Sequence, residues 1–261
     1  MTEPEAMLSR PLAEAEVSAE VFALRPDYRV LLVCAEGIVP GPSDDAGEAL
    51  LRAAEAAAAE ARGGMPVEQL PHVAAWREAY RAFGAKPQRT RNSLEALLRR
   101  AATGLPRINR LTDIYNAVSV LHQIPVGGED LGRYAGPPSL RRATGAEPFD
   151  TIAAGLEVVE HPEPGEVVWC DDVGVTCRRW NWRQGSRTQL TPETVDALFI
   201  LDALDPLTDA ALAVAADDLI GHLQRLGPDV RVARRLIGGP PTVPVSGSRD
   251  GASRDDEGRG R

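Results

Sequence analysis

The spacing of apolar residues changes once along this chain, and that change limits what it can fold into. Up to about residue 123 they recur every three or four positions; from about residue 138 they alternate or cluster in short runs between turn residues. Helices followed by a meander of strands point to an α+β domain, with helices packed on a mostly antiparallel sheet. At 261 residues and 28.0 kDa the chain can bury a full core, in one large domain or two small ones. It carries no internal repeat.

One strand precedes the helices: "YRVLLVCAEGI" (28–38) reads as buried throughout. "PGPS" then breaks the chain, and Ser43 is placed to cap a helix whose first turn holds Asp44 and Asp45 and which stops at Gly63-Gly64. A second helix is expected from Pro71 through Ala82, with Gly84 after it. In "RNSLEALLRRAATGLP", Asn92 and Glu95 form a capping-box pair ahead of a third. The fourth, "INRLTDIYNAVSVLHQ", carries Ile108, Leu111, Ile114, Val118 and Leu121 as a core stripe, and Asn109, Asp113 and Asn116 as a separate polar ridge. "IPVGGEDL" leaves it as a loop. Strands are expected in "PSLRRAT", "GEVVWCDD", "VTCRRWNWR" and "ALFILDAL", with "DDVG" as a turn, followed by the amphipathic helix "LTDAALAVAADDLIGHLQRL". Residues 1–24 read as a polar lead-in, and 238–261, rich in Gly, Pro, Ser and charge, as a disordered tail.

Formal net charge is −9, from 38 acidic and 29 basic residues, and Lys86 is the only lysine. The average hides a contrast. Between Arg77 and Arg110 stand nine basic residues against two acidic ones, a net +7. Lys86, Arg89, Arg91, Arg99 and Arg100 flank one loop and one helix there, a footprint suited to a phosphate backbone; the competing reading is a solvated surface. No apolar run approaches the roughly 18 residues of a membrane helix, and the N-terminus has no apolar signal segment. Cys34, Cys170 and Cys177 form no CxxC pair, which fits buried thiols in a reducing cytoplasm. The four histidines lack metal-ligand spacing, and no P-loop, GxGxxG or GxSxG is present, so neither metal nor cofactor is expected.

Two constellations admit a site. "RRWNWRQ" (178–184) holds two of four tryptophans and three arginines. Read as a strand, it sends Arg178, Trp180 and Trp182 to one face and Arg179, Asn181 and Arg183 to the other. It either fills core or walls a pocket in which indoles pack a ligand and arginines hold phosphate. The polar ridge, directly before Gly127-Gly128-Glu129-Asp130, is either a solvated helix face or one side of a cleft. In the cleft, glycines would admit a backbone approach and aim N–H groups at a ligand, and acids would take protons or bind a cation.

Four segments together, "YRAFGAKPQRTRNSLEALLRR", "GLPRINRLTDIYNAVSVLHQIPVGGEDL", "GEVVWCDDVGVTCRRWNWRQ" and "RTQLTPETVDALFILDAL", resemble the B3/B4 domain family, most closely its freestanding members. This is the editing domain of the β subunit of bacterial phenylalanyl-tRNA synthetase. The resemblance covers roughly residues 25–225, implies one such domain over 25–227, and leaves out the synthetase's ligase and anticodon-binding parts. It implies an α+β fold that takes the aminoacylated 3′ end of tRNA and hydrolyses the ester of a wrong amino acid. Asp113, Asn116, Pro125 and Asp130 match the family's "VDxTNYVM…GQPMHAFD" pattern. Gly127 stands where its pocket histidine would be, and Asp202 falls near its late glutamate.

Freestanding members act in trans, some on tRNA carrying an arginine analogue such as canavanine. Gly127 beside Glu129 and Asp130 would give room and negative charge for a cationic side chain. The resemblance thus implies Asn116, Glu129 and Asp130 as catalytic groups, with Asn116 and the amides of Gly127 and Gly128 as donors or orienters. Asp113, Gly127, Gly128, Trp180, Asn181, Arg183 and Asp202 would contact substrate, and the five cations above would contact RNA. The partner would be aminoacylated tRNA, not DNA or membrane, met by a cytoplasmic monomer. A binding module of the same fold that catalyses nothing is the alternative.

Overall fold

In the computed structural model, which describes residues 10–239, the lead-in carries β1 (Glu16–Val17) and α1 (Ala19–Leu24). The expected tail lies, from residue 240 on, outside the described residues. β2 (Arg29–Glu36) is followed by helices α2 (Asp45–Arg62), α3 (Pro71–Ala82), α4 (Ser93–Arg100) and α5 (Arg110–Leu121). Then come β3 (Val126–Asp130), β4 (Ser139–Arg142), β5 (Phe149–Ala153), β6 (Leu156–Glu160), β7 (Val167–Cys170), β8 (Val175–Arg178), β9 (Arg183–Gln184) and β10 (Ala197–Ala203). α6 (Asp209–Leu223) and β11 (Arg231–Gly238) close the described chain. The α+β class expected from the periodicity is the class observed.

A four-stranded antiparallel sheet, ordered β11-β2-β10-β3, forms the centre. All of β2 and β10 is buried, because both faces of this sheet are covered. Leu31, Val33, Phe199 and Leu201 pack on α5 and α6 through Ile114, Val118, Leu212 and Leu219. Val30, Leu32, Leu198 and Ile200 pack on Trp76 and Tyr80 of α3 and on Trp169 of a second, five-stranded sheet ordered β1-β4-β7-β8-β9. Two-sided burial explains why these strands read as unbroken apolar runs instead of alternating; each large side chain buried this way contributes roughly 1.5–3 kcal/mol. A third cluster joins α2, α4 and α5 through Leu51, Ala54, Leu94, Leu98 and Ala117.

Helix limits follow local chemistry. Asn92 accepts from Glu95 N at 2.8 Å and caps α4 as its spacing predicts, while Gly63 (φ 49°) ends α2. Two caps differ from expectation. Asp44, not Ser43, caps α2 by accepting from Gly47 N at 2.8 Å; the Ser43 hydroxyl instead donates to Asp113 at 2.5 Å. Asn109 belongs to no ridge: it caps α5, accepting from Thr112 N at 2.9 Å.

Four strand readings also change. "IPVGGEDL" is no loop, since 126–130 pair with β10 as a sheet edge. The strand expected over "VTCRRWNWR" breaks after Arg178 and turns back as β9. The β5–β6 hairpin and β11 carry no strand signal strong enough to be anticipated, and β11 takes the central sheet beyond residue 227.

Candidate functional site

Where the two sheets part, beside β3, a cavity of about 270 Å³ opens. Gly127, Ile200 and Asp202 of the central sheet line one side of it, and Trp169, Cys177 and Trp180 the other. Ser93, Ala96 and Leu97 of α4, with Pro106 and Ile108, border it on one flank; Trp182, Arg183 and Gln184 border it on another. Ile108, assigned to the core stripe from its spacing, is 50% exposed at this lip.

The ladder decides which strand groups the cavity can use. Asp202 N donates to Pro125 O, and Leu131 N to Asp196 O. In an antiparallel ladder hydrogen-bonded pairs alternate with open ones. Gly127 opposite Ile200 is therefore a bonded pair, and its N–H is taken by the sheet. Gly128 opposite Phe199 is an open pair, so its N–H and carbonyl face the outer edge, where Gln184 Nε2 donates to the carbonyl at 2.6 Å. The expected pair of glycine amides facing a ligand is not formed. Gly127 lines the cavity by lacking a side chain, and Gly128 lies on the opposite face against Leu190 and Tyr115.

The same alternation sorts the acids. Glu129 shares the cavity face with Gly127 and Leu198; Asp130 points away. Glu129 is fully buried, neither of its carboxylate oxygens is met by a donor in hydrogen-bonding geometry, and its pKa is pushed up to about 7 by burial. The nearby hydroxyls of Tyr134 and Thr176 only partly offset this. Asp130 has both oxygens occupied, by Gly132 N at 2.9 Å and the Thr194 hydroxyl at 2.7 Å, and does not line the cavity, so the expectation that it assists a water gives way. Asp113, expected to contact substrate, is equally committed: it accepts from Ile108 N at 2.8 Å and from Ser43. Asn116, one turn along α5, does line the cavity.

Asp202 sits at the far end of the same face, its pKa raised to about 7 by burial. Tyr28 donates to one oxygen at 2.6 Å and Asn181 Nδ2 to the other at 3.2 Å; Tyr80 in turn donates to Asn181 Oδ1 at 2.9 Å. Asn181 reaches this network because the β8–β9 turn is unusual. Arg179 (φ 48°) and Trp180 (φ 69°) are successive left-handed residues, and neither is glycine. Such conformations cost on the order of 1–3 kcal/mol each and persist only where surroundings over-determine them. Here the Trp180 indole is wholly buried, edge-on to Tyr28 and Trp76 with centroids 5.0 and 5.3 Å away. Arg179 stacks on Trp182 at 4.5 Å and donates to the Thr90 hydroxyl at 2.5 Å. Tyr28 and Tyr80 carry no local sequence signal of a site; separations of 174 and 101 residues hide their pairings.

The basic segment is partly neutralised in three dimensions. Glu95, fully buried, receives Arg77 at 2.8 Å and Arg99 at 3.0 Å, with Arg91 at 3.8 Å; Arg99 also pairs with Glu68 at 2.5 Å. Arg107 is held by Glu48 and Glu55, and Arg110 by Asp44. Lys86, Arg89 and Arg100 are exposed and make no ion pair among the described residues. Arg183, at the cavity flank, donates to the Thr151 hydroxyl at 2.6 Å. Cys34, Cys170 and Cys177 are free and buried, their thiols pushed up by burial and so unsuited as nucleophiles. Among the described residues no group of three His, Cys, Asp or Glu is placed to hold a metal ion, and no helix is long and apolar enough to cross a membrane.

The model of the B3/4 domain matches residues 75–217, which include both flanks of the cavity and all the cavity-lining residues named above. The chain belongs to the B3/4 domain family. Among solved structures, this B3/4 domain protein is similar to an N-terminal fragment of the phenylalanyl-tRNA synthetase beta-subunit from Pyrococcus horikoshii, at 12% identity and a TM-score of 0.41. The match covers 84% of this chain and 49% of that one, so the chain spans about half its length. No curated protein matches.

Proposed function

We propose that this B3/4 domain protein is an aminoacyl-tRNA deacylase acting in trans, which hydrolyses the ester of a mischarged tRNA. A role in tRNA editing or tRNA binding is what the family suggests; the step to catalysis is carried by Glu129. A fully buried carboxylate that lines the cavity and, despite the nearby Tyr134 and Thr176 hydroxyls, has its pKa raised to about 7 is poised to take a proton from a water near neutrality. An aminoacyl ester is already activated, so a positioned water, such a base and a donor for the carbonyl oxygen suffice. Asn116 lines the same cavity, in reach of a role as donor or orienter. Asp130 is left out of the mechanism because Thr194 and Gly132 occupy it.

The cavity also favours a cationic side chain, as in an arginine analogue. Its two acids, Glu129 and Asp202, stand on neighbouring paired strands four residues apart in register, about 14 Å between Cα positions. Together they give the lining a negative character, and Gly127, without a side chain, leaves room between them. The tRNA backbone would follow Lys86, Arg89 and Arg100, the first two on the loop tied to the cavity by Arg179 and Thr90. The test is a panel of correctly and incorrectly charged tRNAs, canavanyl-tRNA among them, scored for release of free amino acid. At least one mischarged species is expected to lose its amino acid faster than in buffer, and Glu129→Gln to abolish the gain. If none does while tRNA is still retained on a filter, the protein is a binding module and the enzyme reading falls.

A further inference from the structure

Asn181 combines three properties that no other cavity residue shares. It follows two consecutive left-handed residues, Arg179 and Trp180, so its backbone direction is set by a turn the chain would not adopt without the packing of Trp180. Its backbone is pinned from outside as well, because its carbonyl accepts from Ser93 N at 3.0 Å. Its amide is tethered at both ends, by the Tyr80 hydroxyl at 2.9 Å and by Asp202 at 3.2 Å, and Asp202 is in turn held by Tyr28 at 2.6 Å. A carboxamide carries two N–H groups and two acceptor sites. Asp202, as the acceptor, fixes which end is nitrogen and takes one N–H, the Tyr80 hydroxyl donates to the oxygen, and one N–H remains on a residue that lines the cavity. Held this firmly, the remaining N–H reorganises little when charge develops in front of it, which is what makes a donor effective in a dry site.

We infer that Asn181 is a catalytic residue, its free N–H donating to the carbonyl oxygen of the bound ester, with Tyr80, Asp202 and Tyr28 as positioning residues behind it. The inference rests on the deacylase reading above and supplies the donor that the glycine amides do not. As the water oxygen bonds to the ester carbon, one water proton passes to the Glu129 carboxylate and the carbonyl oxygen takes the negative charge opposite Asn181. Collapse re-forms the carbonyl and breaks the bond to the ribose oxygen. That oxygen receives the proton from Glu129, leaving a free amino acid and a ribose hydroxyl.

The experiment is steady-state and single-turnover hydrolysis of the charged tRNA found active in the panel, by the full-length protein and three variants. Asn181→Ala is expected to lower kcat about 100-fold, the usual loss for one such donor, with KM little changed. Asn181→Leu, similar in shape but without the N–H, should show the same loss. Tyr80→Phe, which removes a tether and no cavity group, should lower kcat several-fold at unchanged KM, a split that a merely structural role would not produce. Thermal melts identify any variant that fails to fold; if Asn181→Ala does, the other two decide. A kcat within twofold of wild type in Asn181→Leu, or a raised KM with kcat intact, overturns the inference while leaving the deacylase reading in place. A wild-type protein inactive on every charged tRNA overturns both.

Discussion

A Cβ added to Gly128 would stand 2.7 Å from Leu190 Cδ1 and 2.9 Å from Tyr115 Cδ1, closer than real Cβ atoms come, whereas one added to Gly127 meets only Gln184 Nε2, at 3.6 Å. Gly128→Ala is therefore expected to destabilise the fold by about 1–3 kcal/mol, as overpacking does, with Gly127→Ala near neutral in stability. Denaturant midpoints of the two variants check the contrast. Glu129 yields a prediction with a sign. Its folded pKa of about 7 lies above its ordinary 4.5, so the folded state holds the proton longer. Below 4.5 the group contributes nothing either way. Between 4.5 and 7, stability falls as pH rises, by up to about 1.4 kcal/mol per unit, and above 7 the loss is constant. Asp202 acts in the same direction, and buried His72, its pKa lowered to about 4, in the opposite one. Glu129→Gln isolates the single group: its stability advantage over wild type should grow from pH 4.5 to 7 and then level off. An advantage independent of pH would show that Glu129 is not the buried acid described.

At the scale of elements, β11 matters more than its sequence suggests. "RVARRLIG" has three arginines and alternates weakly, yet it pairs along the whole of β2, whose eight residues are all buried. Truncation after residue 227, where the domain was expected to end, would leave that strand with an open, apolar edge, which is prone to aggregation. The truncated protein is expected to be insoluble or molten, and soluble yield with near-ultraviolet dichroism would show otherwise. The α4 cap offers a milder test. Asn92→Ala removes the bond to Glu95 N and should cost about 1 kcal/mol. Because α4 borders the cavity, the same variant should raise KM more than it lowers kcat.

Across the whole molecule, charge is sorted rather than spread. In the basic segment, Glu68 and Glu95 hold Arg99, Glu48 and Glu55 hold Arg107 and Asp44 holds Arg110, while, besides Arg81, the three cations Lys86, Arg89 and Arg100 are exposed without an ion pair among the described residues. Reversing those three to glutamate should weaken binding to all tRNAs alike and flatten the slope of log affinity against log salt by about one unit per cation. Arg99→Glu should leave the slope nearly unchanged and lower stability, since it sets a second acid against the buried Glu95. Filter binding across a salt series separates these outcomes, and equal slopes for all variants would place the RNA surface elsewhere.

Where information was local, the sequence determined the outcome by itself. Helix periodicity, the Asn92 cap, the Gly63 stop and the buried runs of β2 and β10 each rest on residues within a few positions of one another, and α2 through α5 stand close to where that spacing puts them. Part of the candidate site is local too: Asn116, Gly127, Glu129, Trp180, Asn181, Arg183 and Asp202 all line one cavity. What tertiary structure alone decided was which groups still have capacity for a ligand. Glu129 and Asp130 are adjacent and chemically alike, yet strand pleating sends one into the cavity unpartnered and the other to Thr194 on the opposite face. Asn109, Asp113 and Asn116 share a spacing, yet capping takes the first, the Ser43 contact the second, and only the third reaches the cavity. The partners that commit Asp130 and Asp113, Thr194 and Ser43, stand 64 and 70 residues away, and no local pattern encodes those pairings.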